Sequence, residues 1–83
     1  MVCYRKGMVY AFVMVKTAAG KSEAVVDQVR DVANVSEAHI VAGEFDVIAE
    51  VTAEEVYDVL QASSSSIQAL DGVADTKTYI SLE

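Results

Sequence analysis

An α+β fold with the element order β-α-β-β-α-β is what this 83-residue chain predicts. Three observations predict it. Residues 8–16 and 73–82 are rich in β-branched and aromatic side chains and bracket everything between them. Apolar residues recur at helical spacing in two stretches, 22–33 and 53–70. Between those helices lie two extended runs, 35–42 and 45–52, separated only by Gly43 and Glu44, as a hairpin requires.

Taken in order, the first strand is Met8 to Lys16, followed by the loop 17–21. Ser22 is placed to cap a helix whose first turn carries Glu23. Val25, Val26, Val29, Val32 and Ala33 form its apolar stripe. The serine run 63–66 resembles a linker, since serine is a mediocre helix former. Yet Val56, Leu60, Ser63/Ser64, Ile67 and Leu70 stay in phase through it, which predicts one helix over 53–70 with Gly72 as its stop. The last strand then closes a ferredoxin-like unit: an antiparallel four-stranded sheet with both helices on one face. Residues 1–7 fall outside the unit as an N-terminal tail, and 8–83 form the domain.

Composition narrows the function. Hydrophobic residues make up 53% of the chain and mean hydropathy is +0.30, too apolar for a disordered segment. Six Lys and Arg against thirteen Asp and Glu give a net charge of −7. Direct nucleic-acid binding needs clustered cations, so this chain is expected to bind none by itself. The carboxylate surplus suits a salt-rich cytoplasm of haloarchaeal type, where screening removes self-repulsion. No apolar run is long enough to span a membrane. The single cysteine, Cys3, excludes an internal disulfide.

The first strand is apolar on both sides. Val9, Ala11, Val13 and Val15 point one way, and Tyr10, Phe12 and Met14 the other. Two helices cover only one of those faces. Each large side chain left in water would forfeit about 1.5–3 kcal/mol. Tyr10, Phe12 and Met14 are therefore expected to meet the same face of a twin across a two-fold axis.

The reactive inventory is thin. His39 has no second histidine or cysteine at ligand spacing, so neither a metal site nor a catalytic group is predicted, and no cofactor is called for. The informative stretch is Gly43-Glu44-Phe45-Asp46. A glycine-x-aromatic-aspartate turn between paired strands offers backbone amides to a carboxylate and a fixed carboxylate to an ammonium. A plain turn, with Asp46 satisfying local amides, uses the same residues.

This stretch resembles the Gly-x-Tyr/Phe-Asp signature of the Lrp/AsnC effector domain, also called the regulation-of-amino-acid-metabolism domain. Residues 67–80, Ile-Gln-Ala-Leu-Asp-Gly-Val-Ala-Asp-Thr-Lys-Thr-Tyr-Ile, are similar to its closing pattern. The resemblance covers about residues 8–82 and is to a stand-alone form without the DNA-binding helix-turn-helix. It implies dimers joined through their sheets, higher rings that are often octameric, and amino acids bound between dimers. The positions that match as ligand contacts are Gly43, Glu44, Phe45, Asp46, Gln68, Thr76 and Thr78. Two departures are Ala33-Asn34-Val35, where the family has Pro-Gly-Val, and Phe45 in place of the commoner tyrosine.

The resulting expectation is a non-enzymatic, cytoplasmic effector-binding and assembly module that modulates transcription directly or by joining full-length regulators. The alternatives are a small dimeric α+β-barrel enzyme of monooxygenase type, with His39 as its candidate residue, or an ACT-type amino-acid-binding module.

Overall fold

Four strands, β1 (Val9–Thr17), β2 (Val35–Ile40), β3 (Val47–Ala53) and β4 (Val73–Ile80), form one antiparallel sheet in the spatial order β2-β3-β1-β4. Helix α1 (Ser22–Arg30) follows β1, and α2 (Val56–Leu60) follows β3 and continues as a π-helical segment, Gln61–Ile67. The computed structural model describes residues 9–81, apart from the side chains of Ser63 and Ser64. The expected tail 1–7, including Cys3, lies outside the described residues. The element order is the ferredoxin-like one.

Alternation along β1 sorts its side chains as expected. Ala11, Val13 and Val15 are fully buried and meet Val47, Ala49, Val51 and Ala53 of β3. Val25, Val26 and Val29 of α1 close that core from above, together with Val59, Ala62 and Ile67. Apart from Ile67, every buried core residue described is valine or alanine. Side chains this short let the helices lie close to the sheet, where a methylene more or less is felt.

Helix α1 differs from expectation at both ends. Its N-cap is Lys21, whose carbonyl accepts the Val25 N–H at 2.9 Å, and no side chain caps the helix. Ser22 is the first helical residue, and its hydroxyl shares a hydrogen bond with that of Thr17 instead. The helix ends at Arg30 rather than 33. Asp31 and Val32 turn back onto the carbonyls of Gln28 and Val29, and Asn34 takes a left-handed φ of 76°. Asparagine tolerates that conformation. The Arg30 guanidinium donates to the Ala38 carbonyl from Nε (3.1 Å) and Nη2 (2.9 Å), tying the helix end to β2.

The hairpin turn is longer than expected. β2 stops at Ile40 instead of 42 and β3 begins at Val47 instead of 45, because the Val41 N–H closes the turn on the Asp46 carbonyl at 2.9 Å. Phe45 therefore belongs to the turn.

The second helix carries the main correction. Ala53 still pairs with Val9 in the sheet, so the helix begins only at Val56 and its last helical residue is Ile67 rather than 70. The expected stripe through Val56 and Leu60 is not the buried one, since both are 46% exposed while Val59 and Ala62 are buried. A π-helical turn holds one residue more than an α turn. The five-residue step from Ala62 to Ile67 keeps both inside, and the α-helical turn before it is phased on Val59. Gly72 ends no helix. With φ +98° it makes the turn into β4, and its carbonyl accepts the Ala18 N–H at 2.8 Å.

The sheet face away from the helices is open in the single chain. Phe12 is 43% exposed and its cross-strand neighbour Tyr79 is 57% exposed, while Tyr10, Met14 and Ile48 are half-buried. Pairing register adds Glu50, Glu37, His39 and Lys77 to the same face, so it is less uniformly apolar than β1 alone implies. β4 ends at Ile80; Leu82 lies outside the described residues.

Candidate functional site

The antiparallel order brings three connections to one end of the sheet: the β1–α1 loop, the β2–β3 turn, and the chain entering β4. β1 ends there at Thr17, with β3 on one side and β4 on the other.

On the β3 side the turn 41–46 is held against β1. The Asp46 N–H donates to the Val15 carbonyl at 2.9 Å. Its carboxylate Oδ2 accepts the Thr17 N–H at 2.9 Å and the Thr17 hydroxyl at 3.1 Å. The Thr17 hydroxyl in turn meets that of Ser22 at 3.2 Å, so one chain of hydrogen bonds links turn, strand and helix start. Those two Thr17 donors, the backbone N–H first, hold the Asp46 carboxyl below the ordinary carboxylate range, helped by the Lys16 charge and opposed by partial burial. The Lys16 ammonium donates to the Glu44 carbonyl at 3.1 Å.

The turn's tip is left open by these bonds. Gly43 and Glu44 are exposed and Phe45 is half-buried. Among the described residues, the backbone N–H groups of Gly43, Glu44 and Phe45 have no acceptor. A Cβ built on Gly43 meets nothing within 4 Å, and its φ lies outside the left-handed region. The turn is therefore a firmly anchored loop with three free donors at its apex.

On the β4 side, Gln68 Nε2 donates to the Thr76 hydroxyl at 2.6 Å. Thr76 pairs with Val15, and Thr78 pairs with Val13 two positions along the same face. The residues singled out in the sequence thus form two groups, Gly43 to Asp46 and Gln68 with Thr76 and Thr78, flanking the end of β1. No hydrogen bond joins the two groups among the described residues. Lys16 and Thr17, which the sequence left unmarked, and Ser22, which it marked only as a helix cap, anchor the turn. Their signal was weak: a Thr at a strand end is ordinary until its partner 29 residues away is known.

His39 lies on the open face of β2, where Nε2 is 3.1 Å from Glu37 Oε1. No cluster of three or more His, Cys, Asp or Glu side chains able to hold a metal occurs among the described residues. No helix among them is long and apolar enough to cross a membrane.

The Lrp/AsnC ligand binding domain matches residues 10–83. The chain belongs to the Lrp/AsnC ligand-binding-domain family. Among solved structures, the protein FFRP-DM1 is 32% identical with a TM-score of 0.82, over 89% of this chain and 99% of that one. The hypothetical protein PHS023 from Pyrococcus horikoshii is also 32% identical, with a TM-score of 0.81 and 90% of each chain covered. The transcriptional regulator NMB0573 from Neisseria meningitidis, solved as its L-Met complex, shares the fold at 18% identity and a TM-score of 0.77. It is matched over 90% of this chain but only 50% of its own length. No curated protein matches the sequence. That family is a regulatory ligand-binding domain.

Proposed function

We propose that this chain is an Lrp/AsnC-type sensor and assembly module that binds an amino acid at the Gly43–Asp46 turn and modulates transcription. The observation carrying this reading is the set of three free amides at 43–45 on a loop pinned by Asp46 and Thr17. Fixed N–H donors suit a ligand carboxylate, because they need no reorganisation when the anion arrives. Glu44, exposed beside them, suits the ligand ammonium. Asp46 then acts by positioning the loop, with Gln68, Thr76 and Thr78 lining the opposite side of the strand end. The L-Met complex of the Neisseria regulator supports an amino acid as the ligand class.

In this reading, two copies pair through the open sheet face, burying Tyr10, Phe12 and Met14, and pairs associate further into a ring, octamer-like in size. The pairing surface lies wholly within the domain, so the chain is also able to join full-length Lrp/AsnC regulators that supply DNA-binding helices. The module works in the cytoplasm, has no catalytic residue and requires no metal or cofactor.

The deciding experiment is a thermal-shift screen of the twenty amino acids combined with light scattering. One or more amino acids are expected to raise the melting temperature, as any ligand selective for the native state does. Asp46→Ala is expected to abolish that rise and His39→Ala to leave it unchanged. A flat response to all twenty would leave a purely structural adaptor.

A further inference from the structure

We propose that the free edge of β4 pairs antiparallel with β4 of a second copy, centred on Thr76, and so joins face-to-face pairs into larger assemblies. The inference deepens the preceding reading and rests on its pairing through the open sheet face.

Among the described residues the sheet ends in two edges, β2 and β4, and they are finished differently. On β2 the Ala38 carbonyl is taken twice by the Arg30 guanidinium, at 3.1 and 2.9 Å. The register of β2 also slips between Val35 and Glu37. Covered backbone groups and bulges are how proteins close a sheet edge. β4 has neither from Asp75 to Ile80, which run in unbroken register along β1. A regular, open edge is a template for one more strand.

The phase of the ladder says which groups are free. The Ser81 N–H donates to the Tyr10 carbonyl at 2.8 Å. Bonded and non-bonded pairs alternate in an antiparallel ladder, so Tyr79, Lys77 and Asp75 turn their backbone groups toward β1. Ile80, Thr78 and Thr76 turn theirs outward. Thr76 agrees: its N–H, unused by β1, is held by the Asp75 carboxylate at 2.9 Å.

Parity and charge then leave one register. Outward groups must meet outward groups, so the two-fold axis passes through one residue facing its own copy. Asp75 or Lys77 on the axis sets like charges against each other, and Thr78 on it shortens the overlap to residues 76–80. With Thr76 on the axis, residues 73–79 overlap and Asp75 of each copy lies opposite Lys77 of the other. Those pairs fall at non-bonded positions, where opposed side chains come closest and opposite charges stabilise. Asp75 and Lys77 are both exposed. On pairing, the Thr76 N–H passes from Asp75 to a backbone carbonyl of the second copy, and Asp75 turns to the facing ammonium.

This ladder is small, and interfaces below about 1,000 Å² hold weakly, so it does not keep two single chains together. A face-to-face pair presents two such edges, one from each copy. Closing a ring engages them all together.

The test is light scattering at about 0.1 M salt, where surface charges still act over about 10 Å, with circular dichroism confirming each fold. The parent should exceed two chains. Thr76→Pro removes the outward N–H and spares the β1 ladder, as edge proline does, and should leave two chains. Thr76→Ala loses the same Gln68 hydrogen bond but keeps the N–H, and should keep the parent's size. Lys77→Asp should also leave two chains, and Asp75→Lys/Lys77→Asp should restore the larger particle. A parent of only two chains would overturn the edge pairing and leave the face pairing standing; a single chain would remove both. A larger particle unmoved by Thr76→Pro, one that falls equally in Thr76→Ala, or a charge swap that restores nothing would overturn the proposal as well.

Discussion

Asp46 and Thr17, 29 residues apart in sequence, are joined by two hydrogen bonds onto a single carboxylate oxygen, Oδ2, at 2.9 and 3.1 Å. This pair fixes the β2–β3 turn against the end of β1 and lowers the Asp46 pKa. A carboxyl depressed in the folded state stabilises it above the unfolded pKa and loses that contribution as pH falls through the folded value. Asp46→Asn is therefore expected to melt several degrees lower at neutral pH, with the gap to the parent closing as pH falls below about 4. Thermal melts across pH 2–7 read this directly; a gap independent of pH would mean that the charge does not matter.

Gly72 and Gly43 make opposite predictions for the same substitution. At Gly72, φ is +98° and an added Cβ would lie 3.0 Å from Val25 Cγ2 and 3.2 Å from Lys21 Cβ. Gly72→Ala should cost about 1–3 kcal/mol in chemical denaturation. Gly43 faces open space outside the left-handed region, so Gly43→Ala should leave stability within about 1 kcal/mol of the parent. Any loss of amino-acid response in Gly43→Ala is then a local effect on the turn.

The π-helical phasing is checked by truncating two apolar residues of one segment. Ile67 is fully buried, and Ile67→Ala should cost about 2–5 kcal/mol. Leu60, 46% exposed, should cost less than about 1 kcal/mol when cut to alanine. Equal costs in urea unfolding would restore the uninterrupted helix.

Phe12 and Tyr79 are cross-strand partners on the open face. Phe12→Asp is expected to reduce the particle seen by light scattering to a single 8.9 kDa chain. A parent already monomeric at high salt would refute sheet pairing.

Net charge predicts a salt response. With −7 on 83 residues, raising KCl from 0.1 to 2 M should raise the melting temperature by screening repulsion among carboxylates. A fall or a flat profile would remove the case for a haloarchaeal-type setting.

Some of this molecule was legible before any coordinates. The order of strands and helices, the buried side of β1 and the Gly43–Asp46 turn follow from local pattern: period two in Ala11, Val13 and Val15, a 3.6 period in Val25 and Val29, and a glycine–aspartate turn between extended runs. These are short-range signals, and alternating or helical spacing survives whatever lies across from it. Tertiary structure decided the rest. Val59 displaced Val56 and Leu60 from the core because a π-helical turn changes phase at Ala62, and intrinsic spacing carries no sign of that extra residue. Asp46 found Thr17, and Gly72 found Val25, only once the chain had folded three connections onto one end of the sheet. Contacts between residues far apart in sequence depend on how the whole sheet closes, and no window along the chain contains both partners.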